Sequence, residues 1–181
     1  MATFTITSKT HGTFSITVDS CDIHIYNQSN VWSIGKLYPK SKFYVQRKKK
    51  GTNITEYLHR KILEASKGPA PVDYTDKKGK THYESVDHID QNPLNNTRSN
   101  LRWAPRWLQQ WNRTRSRLHS RGVTYHPRNK TLPYSTELRS EGDIKIPRQF
   151  FATAKEAHDV YIAGCKQFHR DFDKFVDPKD Y

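Results

Sequence analysis

Short runs in which apolar and polar residues alternate at period two set the tightest limit on how this chain can fold. Thr3-Phe4-Thr5-Ile6-Thr7, Thr13-Phe14-Ser15-Ile16-Thr17-Val18 and Lys42-Phe43-Tyr44-Val45-Gln46 are three of them, with Val31-Trp32-Ser33-Ile34 in between. Successive side chains of a strand point to opposite faces, so the pattern predicts an antiparallel sheet with one wet face. Hydrophobic residues make up only 34% of the 181 residues, and the mean hydropathy is −0.95. A chain that lean builds small modules, each burying a modest share of its surface. Aromatic residues at 12% argue against a disordered basic tail, because they supply surface to bury.

Arg47-Lys48-Lys49-Lys50-Gly51 falls where a hairpin turn belongs, before Ile54 to Leu58 return as a strand. It reads as a solvated loop or, more sharply, as a basic turn whose Lys48 and Lys49 meet a phosphate backbone. A short helix over about 58–65 then ends at Ser66-Lys67-Gly68-Pro69-Ala70-Pro71, a boundary. The polar stretch from Pro71 to Tyr83 reads as a loop or insertion. After it come Glu84 to Asp90, an Asn-rich segment, Leu101-Arg102-Trp103 and a helix opening with Pro105 in its first turn. Helical spacing would put Trp107 and Trp111 on one face, as core packing. The last third reads β-β-β-α: strands near Gly122–His126, Tyr134–Leu138 and Ile144–Phe151, then a helix that opens with the capping box Thr153-x-x-Glu156. Ala154, Ala157, Val160, Tyr161, Cys165 and Phe168 form its apolar stripe, which a three-stranded sheet would bury.

Thirty-one Lys and Arg against 18 Asp and Glu give a net charge of +13. A balance so basic selects polyanionic partners. It is also unevenly placed: no Asp or Glu occurs from Gln91 through Thr136, a stretch that holds Arg98, Arg102, Arg106, Arg113, Arg115, Arg117, Arg121, Arg128 and Lys130. Such a segment repels itself unless phosphates meet it, so these nine residues are the expected DNA contacts. No apolar stretch is long enough to span a membrane and the N-terminus lacks a signal-peptide layout, so a soluble, non-exported chain is expected. Cys21 and Cys165 are too few for a disulfide framework and suit a reducing, cytoplasmic compartment. Cys21-x-x-His24 and Cys165-x-x-x-His169 have ligand-like spacings, but Cys165 belongs to the helix stripe and the pairs to different modules, so structural zinc is not expected.

Asp87-His88 is the dipeptide that carries chemistry. A carboxylate is a hard oxygen ligand for Mg²⁺ or Mn²⁺, and a histidine can take a proton from water. Together they supply two parts of metal-assisted phosphodiester hydrolysis. Neighbours on a regular strand face opposite ways, so both serve one site only at a strand end or bulge. Alone, the pair reads more simply as chance.

The wider pattern changes that. Val86-Asp87-His88-Ile89-Asp90-Gln91-Asn92-Pro93-Leu94-Asn95-Asn96, then Ser99-Asn100-Leu101-Arg102-Trp103 and a helix, resembles the HNH endonucleases, specifically the phage and intron-encoded homing type. Tyr57-Leu58-His59-Arg60-Lys61-Ile62-Leu63 is similar to the helix with a His-Arg pair that precedes the motif in this group. The resemblance implies Asp87 as a metal ligand, His88 as general base and Asn100 as the central Asn that ties the hairpin loop and orients the base. The third metal position falls on Gln109, a departure from the usual His or Asn, with Gln110 and Asn112 as nearby substitutes. Asp90 and Asn92 read as turn residues. Phe151-Ala152-Thr153-x-x-Glu156-Ala157-x-x-x-Tyr161, with Gly122-Val123-Thr124-Tyr125 ahead of it, is similar to the Apetala-type DNA-binding domain. That domain would contact DNA through Arg121, Arg128, Lys130 and Arg139.

The expectation is thus an α+β, modular protein. Residues 1–70 form a DNA-contacting sheet region with a short helix, 71–118 an HNH ββα-metal nuclease, and 119–181 an Apetala-like three-stranded sheet plus helix. It would cut or nick double-stranded DNA in the host of a phage or virus, as a monomer or a homodimer. The rival is a sequence-specific DNA-binding protein whose nuclease has decayed, for which Gln109 speaks; RNA binding has no motif behind it.

Overall fold

The computed structural model describes residues 1–27, 31–36, 42–112, 120–141 and 143–180. Arg113, Arg115 and Arg117 lie outside the described residues. The fold is mixed α+β with more strand than helix. It divides into two compact units, residues 1–73 with 83–113, and residues 74–82 with 114–181. Among the described residues no helix is long and apolar enough to cross a membrane.

In the first unit β1 (Ala2–Ser8) and β2 (Gly12–Val18) form a hairpin, from Ala2 opposite Val18 to Ser8 opposite Gly12. Ile6, Ile16 and Val18 are buried while Thr3, Thr5, Thr13 and Ser15 are exposed, as the alternation requires. After α1 (Ile23–Asn27), a second antiparallel sheet follows from β3 (Ser33–Lys36), β4 (Phe43–Lys48) and β5 (Thr55–Tyr57), with β4 in the middle. The basic turn after β4 closes through Thr52 N–H on the Lys49 carbonyl, 3.0 Å, with Gly51 at φ 75°. Next comes α2 (Leu58–Lys67), whose Leu58, Ile62 and Leu63 are fully buried.

The stretch read as a loop forms a two-stranded sheet instead, β6 (Val72–Thr75) with β7 (Thr81–Tyr83). Asp76 Oδ1 closes its turn by accepting from the backbone of Lys78 at 2.9 Å and Lys80 at 3.0 Å. Strands of three or four polar residues are too short to show a period, which is why the sequence hid them. Then follow β8 (Ser85–His88), β9 (Asn95–Asn96), β10 (Leu101–Ala104) and α3 (Arg106–Trp111), the last with Pro105 as its N-cap. β8 and β10 pair antiparallel. β9 pairs with β2, and does so in parallel. The N-terminal third therefore makes two sheets, not one, and the first takes a strand from far along the chain. Ile6, Ile16, Val18, Val45, Leu58, Ile62, Leu101 and Trp103 meet in a single core, so the N-terminal strands and the β8–β10 hairpin support each other.

The second unit follows its sequence closely. β11 (Val123–Tyr125), β12 (Tyr134–Ser140) and β13 (Asp143–Phe151) form an antiparallel sheet in that order. Pro147 is tolerated because β13 is an edge strand. The capping box is complete on α4 (Ala154–Phe168), with Glu156 N–H on Thr153 Oγ1 at 3.2 Å and Thr153 N–H on Glu156 Oε2 at 3.1 Å. Ala157, Ile162 and Cys165 are buried. Gly164 lets α4 sit tightly on the sheet, since a Cβ there would come within 2.2 Å of Ile146 Cδ1. A short α5 (Phe172–Phe175) closes this unit's core with Phe172.

Candidate functional site

The hairpin puts Asp87 and His88 at the end of β8, with Leu101 opposite His88 and Arg102 opposite Asp87. His88 is the last residue of its strand, the position at which alternation ends and neighbours can share a site. Both are buried, Asp87 9% and His88 7% exposed. A buried polar pair has to be hydrogen-bonded, and each residue is.

The loop between the strands is held by amides. Asn100 Nδ2 donates to Asp90 Oδ1 and to the Asn95 carbonyl, both at 2.8 Å, while its Oδ1 accepts from Asp90 N–H at 3.0 Å. Asp90 also accepts from Asn92 N–H and Asn95 Nδ2, each at 2.8 Å. Burial alone would raise the Asp90 carboxyl, but these donors outweigh it and hold it below the ordinary carboxylate range. Asn100 thus sits where an Asn tying down the loop is needed, and Asp90 is its main partner.

Asn96 is fully buried, and nothing in its Asn-rich surroundings singles it out in the sequence. Its Nδ2 donates to the carbonyls of Pro93, 3.4 Å, and Leu94, 3.2 Å, which turns Oδ1 towards His88 Nε2 at 3.4 Å. An amide oxygen only accepts, so this network assigns the His88 proton to Nε2 and leaves the Nδ1 lone pair as the basic site. Burial pushes the His88 pKa down, against the opposing pull of Asn96, Asp87 and Asp90, so the ring is neutral at pH 7. His59, on α2, meets His88 edge-on at 5.1 Å between ring centroids and stacks on Tyr57 at 5.4 Å. Burial, then the neighbouring His88 and Arg60, lower its pKa to about 3.

Across the hairpin, Arg102 Nε and Nη2 both contact Asp87 Oδ2, at 2.9 and 2.8 Å. From the C-terminal end of α3, Asn112 Nδ2 reaches both Asp87 oxygens at 3.1 Å and the His88 carbonyl at 2.9 Å. Gln109, expected at the third metal position, instead donates to Ser85 Oγ. The reason is a matched spacing. Ser85 and Asp87 lie two apart on one face of a strand, about 7 Å, and Gln109 and Asn112 lie one helical turn apart, about 5 Å. The two rows run side by side, so Gln109 lands on Ser85 and Asn112 on Asp87.

The expected DNA contacts divide. Arg98 is committed to Asp22, Nε to Oδ2 at 2.8 Å and Nη2 to Oδ1 at 2.6 Å, and its backbone N–H to Asp19 Oδ2 at 2.8 Å. Asp22 is fully buried, so Arg98 serves the fold, a role that charge counting along the chain could not reveal. Arg102 is committed to Asp87. Arg106, Arg128, Lys130, Lys48 and Lys49 are exposed; Lys48 Nζ donates to the Asn53 carbonyl at 3.2 Å and to Thr55 Oγ1 at 3.0 Å. Arg121 is half-buried and its carbonyl accepts from His158 Nδ1 at 2.9 Å. Arg139 is exposed and pairs with Glu137 at 2.7 Å. Cys21 is exposed, whereas Cys165 is buried, its thiol pushed up to about 12 by burial.

Among the described residues no cluster of three or more His, Cys, Asp and Glu forms. A cation at this site would meet the Asp87 carboxylate and, with the Asn112 amide turned over, one amide oxygen, with its other positions left to water and substrate. That set suits Mg²⁺, which keeps several waters and takes few protein ligands.

No curated protein and no solved structure matches the chain. A family model does: residues 56–107 match the HNH endonucleases, a span that holds His59, Asp87, His88, Asn96, Asn100 and Arg102 and supports a nuclease.

Proposed function

We propose that the chain is a metal-dependent HNH DNA endonuclease of the homing type, which nicks or cleaves double-stranded DNA. The observation that carries this reading is the convergence on one strand end of Asp87, Asn112 and a neutral His88 whose Nε2 is turned to Asn96. Asp87 and the amide oxygen of Asn112, its amide turned over, would hold a divalent cation such as Mg²⁺ or Mn²⁺. When bound, the cation supplies positive charge to stabilise the phosphate and the leaving oxygen. His88 Nδ1 takes the proton of a water molecule, whose oxygen attacks the phosphorus as the bond to the 3′ oxygen breaks and that oxygen takes a proton from solvent, and Asn96 keeps the proton already on Nε2 in place. By resemblance the products are a 5′-phosphate and a 3′-hydroxyl. Residues 119–181 act as an Apetala-type DNA-binding domain, for which the three-stranded sheet with one helix and the exposed Arg128, Lys130 and Arg139 speak. The decayed-site alternative rests on Gln109, and the placement of Asn112 against Asp87 speaks for the active reading.

Incubating supercoiled plasmid or phage DNA with Mg²⁺ tests the reading. Wild type should convert it to nicked or linear product and His88→Ala should lose about 10²–10⁴ in rate. Binding without cleavage by both proteins would reduce the chain to a DNA-binding module.

A further inference from the structure

Asp87 is not waiting empty for a cation. Its closest partner is a guanidinium: Arg102 sits directly opposite in the β8–β10 register, and two of its nitrogens converge on Oδ2. The pair is well sheltered, the Arg102 side chain 19% and the Asp87 side chain 11% exposed. The β-hairpin imposes this contact, because residues opposed in an antiparallel pair project from the same face. The carboxylate and guanidinium cancel, so a divalent cation approaching Asp87 meets a site without net negative charge and a fixed positive neighbour. Asn112, the other candidate ligand, presents its amide N–H to the same carboxylate and offers a cation its oxygen only once that amide has turned over.

Resting on the nuclease reading above, we propose that Arg102 is an internal counter-cation that competes with the divalent metal for Asp87, and yields the carboxylate when a DNA phosphate takes the guanidinium. The exchange conserves charge: a guanidinium leaves a carboxylate for a phosphate, and the metal takes the vacated oxygen. Guanidinium geometry matches phosphate as well as carboxylate, so Arg102 has a second partner of equal fit. Metal loading and DNA binding therefore favour one another. Arg102 thereby works as a positioning residue, holding Asp87 in place while the protein is free and releasing it on substrate.

The test is a Mn²⁺ titration of the full chain without DNA, followed by the loss of the free-ion electron paramagnetic resonance signal. Removing the fixed charge in Arg102→Gln should tighten Mn²⁺ binding by about tenfold or more at low salt. Arg102→Lys, which keeps the charge, should stay within about threefold of wild type on the same argument. Unchanged or weaker binding in Arg102→Gln would overturn the proposal and leave the pair as a scaffold. Because a buried, unpaired Asp87 could unfold that variant, a second measurement uses wild type alone: on addition of Mg²⁺ the Arg102 Nε–H nuclear magnetic resonance signal should move in step with binding. A signal that stays still while the metal binds would equally overturn it. Failure of the three proteins to bind Mn²⁺ even with DNA present would instead remove the metal-dependent reading, and the competition with it.

Discussion

The two units use their charges in opposite ways. In the first, three ion pairs are sheltered on at least one side and directional: Arg98, 40% exposed, grips the fully buried Asp22, Arg47 grips Glu56 with side chains 14% and 13% exposed, and Arg102 grips Asp87, while Arg60 with Glu64 stands at 49% and 33%. In the second, the pairs stand in solvent, Lys155 with Asp159 at 83% and 59%, Arg139 with Glu137 at 64% and 26%. Exposed pairs contribute little and are easily exchanged for another anion, whereas sheltered ones fix geometry. The first unit thus commits basic residues to holding a site in shape, and the second leaves its basic residues open to a polyanion. A run of arginines in sequence is consequently not one surface.

The largest effect on stability should come from breaking a sheltered pair. Arg98→Ala strands the Asp22 carboxylate in the core and should lower the melting temperature by about 5–10 °C, while DNA affinity of the folded protein stays near wild type. Differential scanning fluorimetry and a filter-binding assay read the two quantities; a stable protein with weakened binding would put Arg98 back among the DNA contacts.

Next in size is Asn96→Ala, which removes the acceptor that holds the proton on His88 Nε2. Cleavage should fall by about tenfold to a hundredfold, as for other groups that orient a reacting side chain through a hydrogen bond, with DNA affinity unchanged. Loss of affinity with an unchanged turnover would place Asn96 in the fold alone.

A smaller, shared effect is acid sensitivity. Burial holds His59 neutral down to about 3 and His169 down to about 4. In the unfolded chain each takes a proton near pH 6.5. Between those values the unfolded state binds more protons, so the stability from keeping them neutral is whole above 6.5 and is lost as pH falls, towards 3 in the first unit and 4 in the second. Melting temperature should drop steadily from pH 7 to pH 4, and a flat profile would contradict the burial of these rings.

Much of this was legible in the chain. The alternation located β1, β2 and β4, the Thr153-x-x-Glu156 box marked the start of α4, and Asp87-His88 with Asn100 marked the hairpin. Each is a local signal, repeated within a few residues. What stayed hidden depends on which segments meet. The parallel pairing of β2 with β9, the Arg98–Asp22 pair across 76 positions, and the offset that sets Asn112 rather than Gln109 against Asp87 are outcomes of packing. Arg102 was the nearest to being readable, because a hairpin that pairs His88 with Leu101 puts Arg102 directly across from the Asp87 carboxylate.

The smallest stability effect belongs to the exposed side of the comparison. Arg139→Ala should leave the melting temperature within about 2 °C. It should also weaken DNA binding evenly across sequences, and reduce the slope of log affinity against log salt by about one. An unchanged slope would remove this residue from the contact surface.

Asn112→Ala and Gln109→Ala, compared for Mg²⁺-dependent plasmid cleavage, test the assembly of the site most directly. Asn112→Ala should need about ten to a hundred times more Mg²⁺ and cut slowly even when saturated, while Gln109→Ala stays within about threefold of wild type. The reverse order, with Gln109→Ala inactive and Asn112→Ala active, would contradict a site formed by the end of β8 and the end of α3.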